Sequence, residues 1–337
     1  MDKIILLGHG SGGKMTSDLI DSVFVKYFNN DILKKKTDSA ILHINSDELA
    51  FTTDSYVVDP VFFPGGNIGT LAISGTVNDL AVSGAIPLYI SAGFIIEEGF
   101  AMDQLEEICK SMRDEAKKAK VFIVTGDTKV VKRGQCDKIF INTSGIGVLD
   151  RKHLEISEGK NIRVGDKIIV SGYIGDHSIA VMGARENIQF ENEILSDVAP
   201  LNGLIREVLN AENEIKFMRD LTRGGLATVL VEIVEDKNFG ILIHEDTVPV
   251  RESVSGLCEI FGYDPLYMAN EGKILFVVKN ENAEDVVNTL RKNEYGKDVR
   301  IIGEITSENG GMAILRSVIG GNRIIDKLAG EQLPRIC

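Results

Sequence analysis

The sequence predicts a two-domain protein of layered α/β or α+β architecture. Its 337 residues allow about two domains at roughly 150 residues each. Its composition, 44% hydrophobic and 26% charged with a mean hydropathy of +0.04, is that of an ordinary globular chain. Short apolar runs that suit strands alternate with helical periodicity in both halves, the pattern of sheets covered by helices.

Taken in order, residues 1–40 hold a glycine turn at 8–13 and then an amphipathic helix. Leu19, Ile20, Val23, Phe24 and Tyr27 recur at the spacing of one helical face. Residues 41–150 form the first domain, with strands at 49–53 and 121–125 and helices at 68–83 and 102–118. A polar stretch at 151–166, RKHLEISEGKNIRVGD, marks the boundary. Residues 151–325 form the second domain, with strands at 167–171 and 274–278 and helices at 205–210, 226–236 and 283–292. The remaining 326–337 read as a mobile tail, because Gly330 and Pro334 stop a helix from reaching the end. Fully extended, that tail reaches roughly 35–40 Å.

Charge and cysteine usage exclude several classes. The net charge of −13 repels polyphosphate at long range, so a nucleic-acid binder is not expected. The four cysteines, at 109, 136, 258 and 337, have neither zinc-ligand nor disulfide-framework spacing. The chain shows no signal-peptide pattern and no apolar run of membrane-spanning length, so a cytoplasmic location is expected. The 34 glycines point to close backbone approach to a ligand.

Several residues could carry chemistry. Asp54, Asp79 and Asp127 each follow or lie within an apolar segment. One such aspartate is usually a turn former or a helix cap. Three together at strand ends call for a hard cation, and magnesium shared with phosphates suits oxygen ligands. GHGSGGK at 8–14 is not a Walker A motif, yet its backbone N–H groups could face phosphate. Lys129, beside Gly126, Asp127 and Thr128, is a surface lysine or a cation for a phosphoryl group or carbonyl. Asp220 opens DLTRGG ahead of a helix whose N-terminus favours anions. Glu271 stands directly before a strand, where burial would make it a general base; a surface turn is the alternative. His9 and His177 read as hydrogen-bonding or exposed histidines rather than catalysts. Cys337 is the final residue, a sterically open thiol with Arg335 close by, or an arbitrary chain end.

Eight segments together resemble a known family: HGSGGK at 9–14, FTTDSYVVDPVFFPGGNIG at 51–69, GTVNDLAVSGA at 75–85, TGDTKVV at 125–131, VSGYIGDHSIAVM at 170–182, RDLTRGGLATVL at 219–230, ANEGK at 269–273 and PRIC at 334–337. They are similar to the HypE family of hydrogenase maturation proteins, a branch of the aminoimidazole ribonucleotide synthetase and selenophosphate synthetase superfamily. The resemblance implies a two-domain synthetase fold of α+β class, with an N-terminal sheet domain that forms a homodimer and a C-terminal α+β domain. It implies a carbamoyl group placed on Cys337 by the carbamoyltransferase HypF. ATP-dependent dehydration to a thiocyanate would follow, and cyanide would pass through a HypC–HypD scaffold to [NiFe]-hydrogenase iron. On this reading Cys337 carries the substrate, Glu271 is the base and Lys129 orients the amide or phosphate, with Lys132 and Arg133 as rivals. Asp54, Asn67, Asn78, Gly126, Asp127 and Thr128 would contact ATP, and Asp54, Asp79 and Asp220 would hold Mg2+. Three alternatives stand beside it. Selenophosphate synthetase places a reactive cysteine in its N-terminal glycine loop, where this chain has His9 and Ser11. Aminoimidazole ribonucleotide synthetase would give a terminal cysteine no role. A non-catalytic scaffold would use the tail only for docking.

Overall fold

The computed structural model describes residues 3–37, 39–188, 193–211, 214–328, 330 and 333–337. Helix α1 (Lys14–Leu19) continues through a π-helical stretch, Ile20–Val25, into α2 (Lys26–Phe28). Leu19, Val23 and Phe24 are buried along it, the face that the spacing predicts. Then come β1 (Leu49–Tyr56), the two-residue strands β2 (Phe62–Phe63) and β3 (Gly66–Asn67), α3 (Ile68–Val82), β4 (Ala85–Glu97), α4 (Met102–Ala119), β5 (Phe122–Val131) and β6 (Ile139–Leu149). The first sheet has the order β1-β6-β4-β5. Only β4 and β5 run parallel, because α4 provides the long crossover that parallel strands need.

Helix α3 lies between this sheet and the second domain, and every residue in it except Asp79 is buried. Burial all round explains why it is apolar on all faces rather than striped. Asn67 caps it: its Oδ1 accepts from the N–H groups of Gly69 and Thr70 at 2.8 and 3.2 Å.

The second domain contains β7 (Lys167–Val170), α5 (Asp176–Arg185), α6 (Asn202–Asn210), β8 (Ile215–Asp220), α7 (Gly225–Val234), β9 (Gly240–His244), α8 (Glu252–Phe261), β10 (Ile274–Val278), α9 (Ala283–Leu290), β11 (Arg300–Thr306), β12 (Ala313–Arg316) and β13 (Asn322–Ile325). Its sheet has the order β13-β12-β9-β11-β7-β10-β8. Strand β10 is buried at every position. Leu275 and Val277 pack in the core with α7, whereas Ile274, Phe276 and Val278 pack with α6 and α9. Helices on both faces require such an unbroken apolar run.

The structure departs from the sequence reading in three places. β5 runs on to Val131, so Asp127, Thr128 and Lys129 lie within a strand rather than past its end. Asp54 likewise sits inside β1, whereas Asp79 lies inside α3, the helix expected at 68–83. The tail, expected to be mobile, is seated along residues 57–59 at its end: the N–H groups of Val57 and Asp59 donate to the Cys337 and Arg335 carbonyls at 3.1 and 3.3 Å.

Candidate functional site

The site builds from β1 and α3. Strand geometry sends alternate side chains to opposite faces. Thr52, Asp54 and Tyr56 therefore point inward to α3, and Thr53 and Ser55 point outward. The Thr52 hydroxyl donates to Asp79 at 2.7 Å and the Tyr56 hydroxyl to Asp54 at 3.3 Å. Gly75 leaves room for that hydroxyl, since a Cβ there would run into it. From the second domain, β8 ends at Asp220, which pairs in register with Ile274. Glu271 precedes β10 and is 3% exposed, and among the described residues its Oε1 has no hydrogen-bond partner.

These acids feel one another. Burial first, then Asp220 and Asp54, pushes Asp79 up to about 7. Burial also raises Asp220 to about 6, with Asp54 adding to the rise and Arg219 opposing it. Glu271 is raised well above the carboxylate range by burial and then by Asp220, Asp197, Asp54 and Asp79. Among the described residues, no group of three or more His, Cys, Asp or Glu side chains is assembled as a metal centre.

The shifts have a testable sign. The folded state holds the Asp79 and Asp220 protons more tightly than the unfolded chain does. Ionisation therefore destabilises the fold, by nothing below pH about 4 and by a growing amount up to about 7. Asp79→Asn removes one of these charges. It is expected to stabilise the metal-free protein by about 1–3 kcal/mol at pH 8 and to change little at pH 4. Thermal unfolding at the two pH values checks this; equal effects at both would count against the charge cluster.

The loop that carries Glu271 is held from several sides. Its N–H donates to Asp197 Oδ1 at 3.0 Å, and Lys273 pairs with Asp197 at 3.1 Å. Asn78 reaches across from α3: its Nδ2 donates to the Ala199 carbonyl at 3.0 Å, and its Oδ1 accepts from Leu201 N–H at 2.7 Å. Gly272 lies against the Asp197 carbonyl with no space for a Cβ. Because that obstacle is backbone, Gly272→Ala is expected to cost about 2–3 kcal/mol and to displace Glu271, measurable by denaturant unfolding.

The tail joins the same region. Ile336 is buried in one core cluster with Val181 and Ala269, and Cys337 packs against that cluster. Val57, which holds the Cys337 carbonyl, directly follows Tyr56. Two strongly tied groups here were not singled out from sequence. Arg185 and Asp197 act through contacts between residues far apart in the chain, and no local pattern marks them; His177, expected to be a hydrogen-bonding or exposed histidine, is buried and bonded at both ring nitrogens.

The structure separates the expected residues into two sets. Asp54, Asp79, Asp220 and Glu271 interact, and Cys337 ends nearby. Asp127 and Lys129 lie on β5, at the far edge of the sheet from β1. They pair with each other at 2.7 Å and are exposed. Their register with Gly93, Asn142 and Ser55 places Asp127 on the outer face, opposite Asp54. Gly126, Asp127 and Thr128 also line an apolar cavity of about 220 Å³ against Phe24 and Phe94. Asn67 and Asn78, expected to contact nucleotide, spend their side chains on the cap and on the interdomain clamp. Lys132 bonds Gln135 through its own N–H and carbonyl, and Arg133 reaches the Glu98 carbonyl.

A sheet domain with a buried central helix, joined to a helix-covered second sheet across a carboxylate cleft, defines the AIR-synthase-related class. The family described as AIR synthase related protein, N-terminal domain, matches residues 36–149, and the corresponding C-terminal domain matches 163–316. Carbamoyl dehydratase HypE from Bradyrhizobium diazoefficiens is 46% identical over 332 residues, 98% of this chain and 95% of that protein. A crystal structure of hydrogenase maturation protein HypE in complex with ATP superposes with a TM-score of 0.94 at 45% identity, covering 98% of this chain and 99% of that one. A HypE–HypF complex contains a chain with a TM-score of 0.79 at 48% identity, covering 92% and 99%. The chain belongs to the HypE family of carbamoyl dehydratases, enzymes of hydrogenase maturation. This relationship covers nearly the whole chain, and it separates the chain from the selenophosphate and aminoimidazole ribonucleotide synthetases and from a non-catalytic scaffold. Among the described residues no helix is long and apolar enough to cross a membrane.

Proposed function

We propose that this chain carries a carbamoyl group on the Cys337 sulfur and uses ATP to dehydrate it to a thiocyanate. The observation that supports this most is the seated C-terminus. Cys337 ends beside Tyr56, on the strand that carries Asp54, and Ile336 packs with Ala269, two residues before Glu271. In the reaction the thiocarboxamide oxygen attacks the γ-phosphorus of ATP, ADP leaves and one of the two N–H protons passes to solvent, giving a phosphorylated imidate. Glu271 then takes the second N–H proton, the C–O bond breaks, phosphate departs and S–C≡N remains. Burial of Glu271 keeps water from the phosphorylated intermediate and strengthens the carboxylate as a base once it is ionised.

The acidic residues suit a hard cation. Burial first, and then neighbouring carboxylates, raise the proton affinity of Asp79 and Asp220, and the donors they offer are all oxygen. Asp54, Asp79 and Asp220 would hold Mg2+, with nucleotide phosphates completing the set. The ion would neutralise charge on the transferring phosphoryl group. Asp79→Asn is expected to abolish ATP turnover with magnesium while the protein stays folded; normal turnover would remove Asp79 from this role.

Gly126, Asp127 and Thr128 suit the nucleotide from the cavity they line, and Lys129 serves as the cation beside it. They stand three strands from Asp54, about 14 Å at the usual spacing, and Asp127 faces the other side of the sheet. A homodimer packed on the outer face would set Asp127 and Lys129 against the partner. That face leaves Leu49, Phe51, Ile86, Ile95 and Phe122 exposed, and an apolar surface of this kind suits a partner. The same reading takes HypF as the carbamoyl donor, HypC–HypD as the cyanide acceptor and the cytoplasm as the location. Mass spectrometry of the C-terminal peptide tests the core of it. With HypF, carbamoyl phosphate and ATP, the peptide should gain a carbamoyl group and then lose one water.

A further inference from the structure

The seated tail is gripped almost entirely by its main chain. The Arg185 guanidinium donates to three carbonyls: Asp59 through Nε at 2.8 Å, Pro334 through Nη1 at 2.9 Å and Arg335 through Nη2 at 2.8 Å. His177, fully buried on the same helix α5, meets the Ile336 carbonyl through Nε2 at 2.8 Å. Its Nδ1 faces the Ser196 hydroxyl at 2.8 Å. The Ile336 carbonyl can only accept, so Nε2 is the protonated nitrogen, and Nδ1 of the neutral ring accepts from the Ser196 hydroxyl, whose oxygen also accepts the Val198 N–H at 3.1 Å. Val57 and Asp59 pair with Cys337 and Arg335 as an antiparallel strand would. Side chains add to this grip: Arg335 reaches Asp137 at 2.7 Å and the Val57 carbonyl at 2.9 Å, and Ile336 is buried in the core.

We propose that Arg185, His177 and Ser196 form a latch that sets the register of the C-terminal tail and so positions Cys337. The inference rests on the reading that Cys337 carries the reacting group. Arg185 and His177 are positioning residues, since neither touches a reacting atom. Carbonyl contacts hold the chain at a set depth whatever is attached to the terminal sulfur, so the latch can hold both thiol and thiocarboxamide. The latch also works against a cost. Arg335 has φ +53°, a left-handed conformation unfavourable for a residue with a Cβ. Release relieves this strain, which keeps seating reversible for a tail that must reach another protein. Ser196 adjoins Asp197, which holds the Glu271 N–H, so a seated tail and the Glu271 loop share one short segment.

The test is alkylation of the full-length protein by iodoacetamide, with Cys337 followed by mass spectrometry of the C-terminal peptide. Cys109, Cys136 and Cys258 are buried and report any general unfolding. Arg185→Gln is expected to speed Cys337 alkylation about tenfold, the effect of losing charged hydrogen bonds to buried carbonyls. Arg185→Lys should rescue only in part, because an ammonium cannot span three carbonyls in a fork. Ser196→Ala should produce a smaller increase. With ATP, Arg185→Gln should lower the kcat of dehydration, leave the KM for ATP unchanged and not slow carbamoyl transfer onto Cys337. If the buried cysteines also become reactive in Arg185→Gln, Arg335→Ala decides, since it alters only the tail. Alkylation of Cys337 within about twofold of wild type in both Arg185→Gln and Arg335→Ala would overturn the latch. Faster alkylation alongside a wild-type protein that forms no thiocyanate would support the latch and refute the proposed function.

Discussion

Cys337→Ala is expected to abolish thiocyanate formation altogether while the fold, ATP binding and tail seating persist. The substitution removes one sulfur from the last residue. The carbonyl that accepts from Val57, the Arg335–Asp137 pair and the Arg185 contacts are all made by other atoms. The sulfur is also only half-buried, so its loss leaves a small cavity cost, below about 1 kcal/mol. Because the sulfur itself bears the substrate, the loss of product is complete rather than graded. The assay combines mass spectrometry of the C-terminal peptide with ATP hydrolysis after carbamoyl transfer. A scaffold would keep its docking in this variant and show no carbamoyl-dependent hydrolysis even in wild type. Thiocyanate on any other residue of the variant would disprove the carrier role of Cys337.

Glu271→Gln is the second large effect. The variant should bind ATP and accept a carbamoyl group on Cys337, yet dehydration should fall by roughly 10²–10⁴, the usual contribution of a general base. The change keeps shape and volume, and the Glu271 N–H bond to Asp197 belongs to the backbone. Its stability signature has the opposite sign from that of most active-site losses. Burial and four nearby acids raise the Glu271 proton affinity, so its ionisation costs the folded state as pH rises. A neutral glutamine avoids that cost, and the variant should be at least as stable as wild type at pH 8. Reduced activity with undiminished stability would identify a functional carboxylate. A normal nitrile yield would exclude Glu271 as the base. In wild type, the same raised affinity should place the acidic limb of the dehydration rate above the ordinary carboxylate range.

Much of the fold was legible in the sequence because its strongest elements announce themselves locally. The unbroken ILFVV run of β10 and the one-faced periodicity of α4 depend on burial patterns that the chain itself displays. β4 and β6 were not anticipated. β4 exposes Ile86 and Ile95, and β6 puts Gly145 and Gly147 at buried positions, which blurs a period-2 pattern. β5 was cut short because Gly126 and Asp127 read as strand breakers, whereas the register with Gly93 carries the strand through them. The chemistry-bearing aspartates were found through their residue type, but their neighbours in sequence did not reveal which way each one faces.

Sequence alone determined the family, the two-domain architecture and the terminal cysteine, since each is written in residue identity and order. Tertiary structure alone decided that Asp54 and Asp127 point to opposite sides of one sheet, that Asn67 caps α3 and that Asn78 ties α3 to the second domain. It alone seated the tail under Arg185 and His177. The reason is physical: side-chain direction follows from strand register, and carbonyl recognition does not depend on which side chains the recognised segment carries.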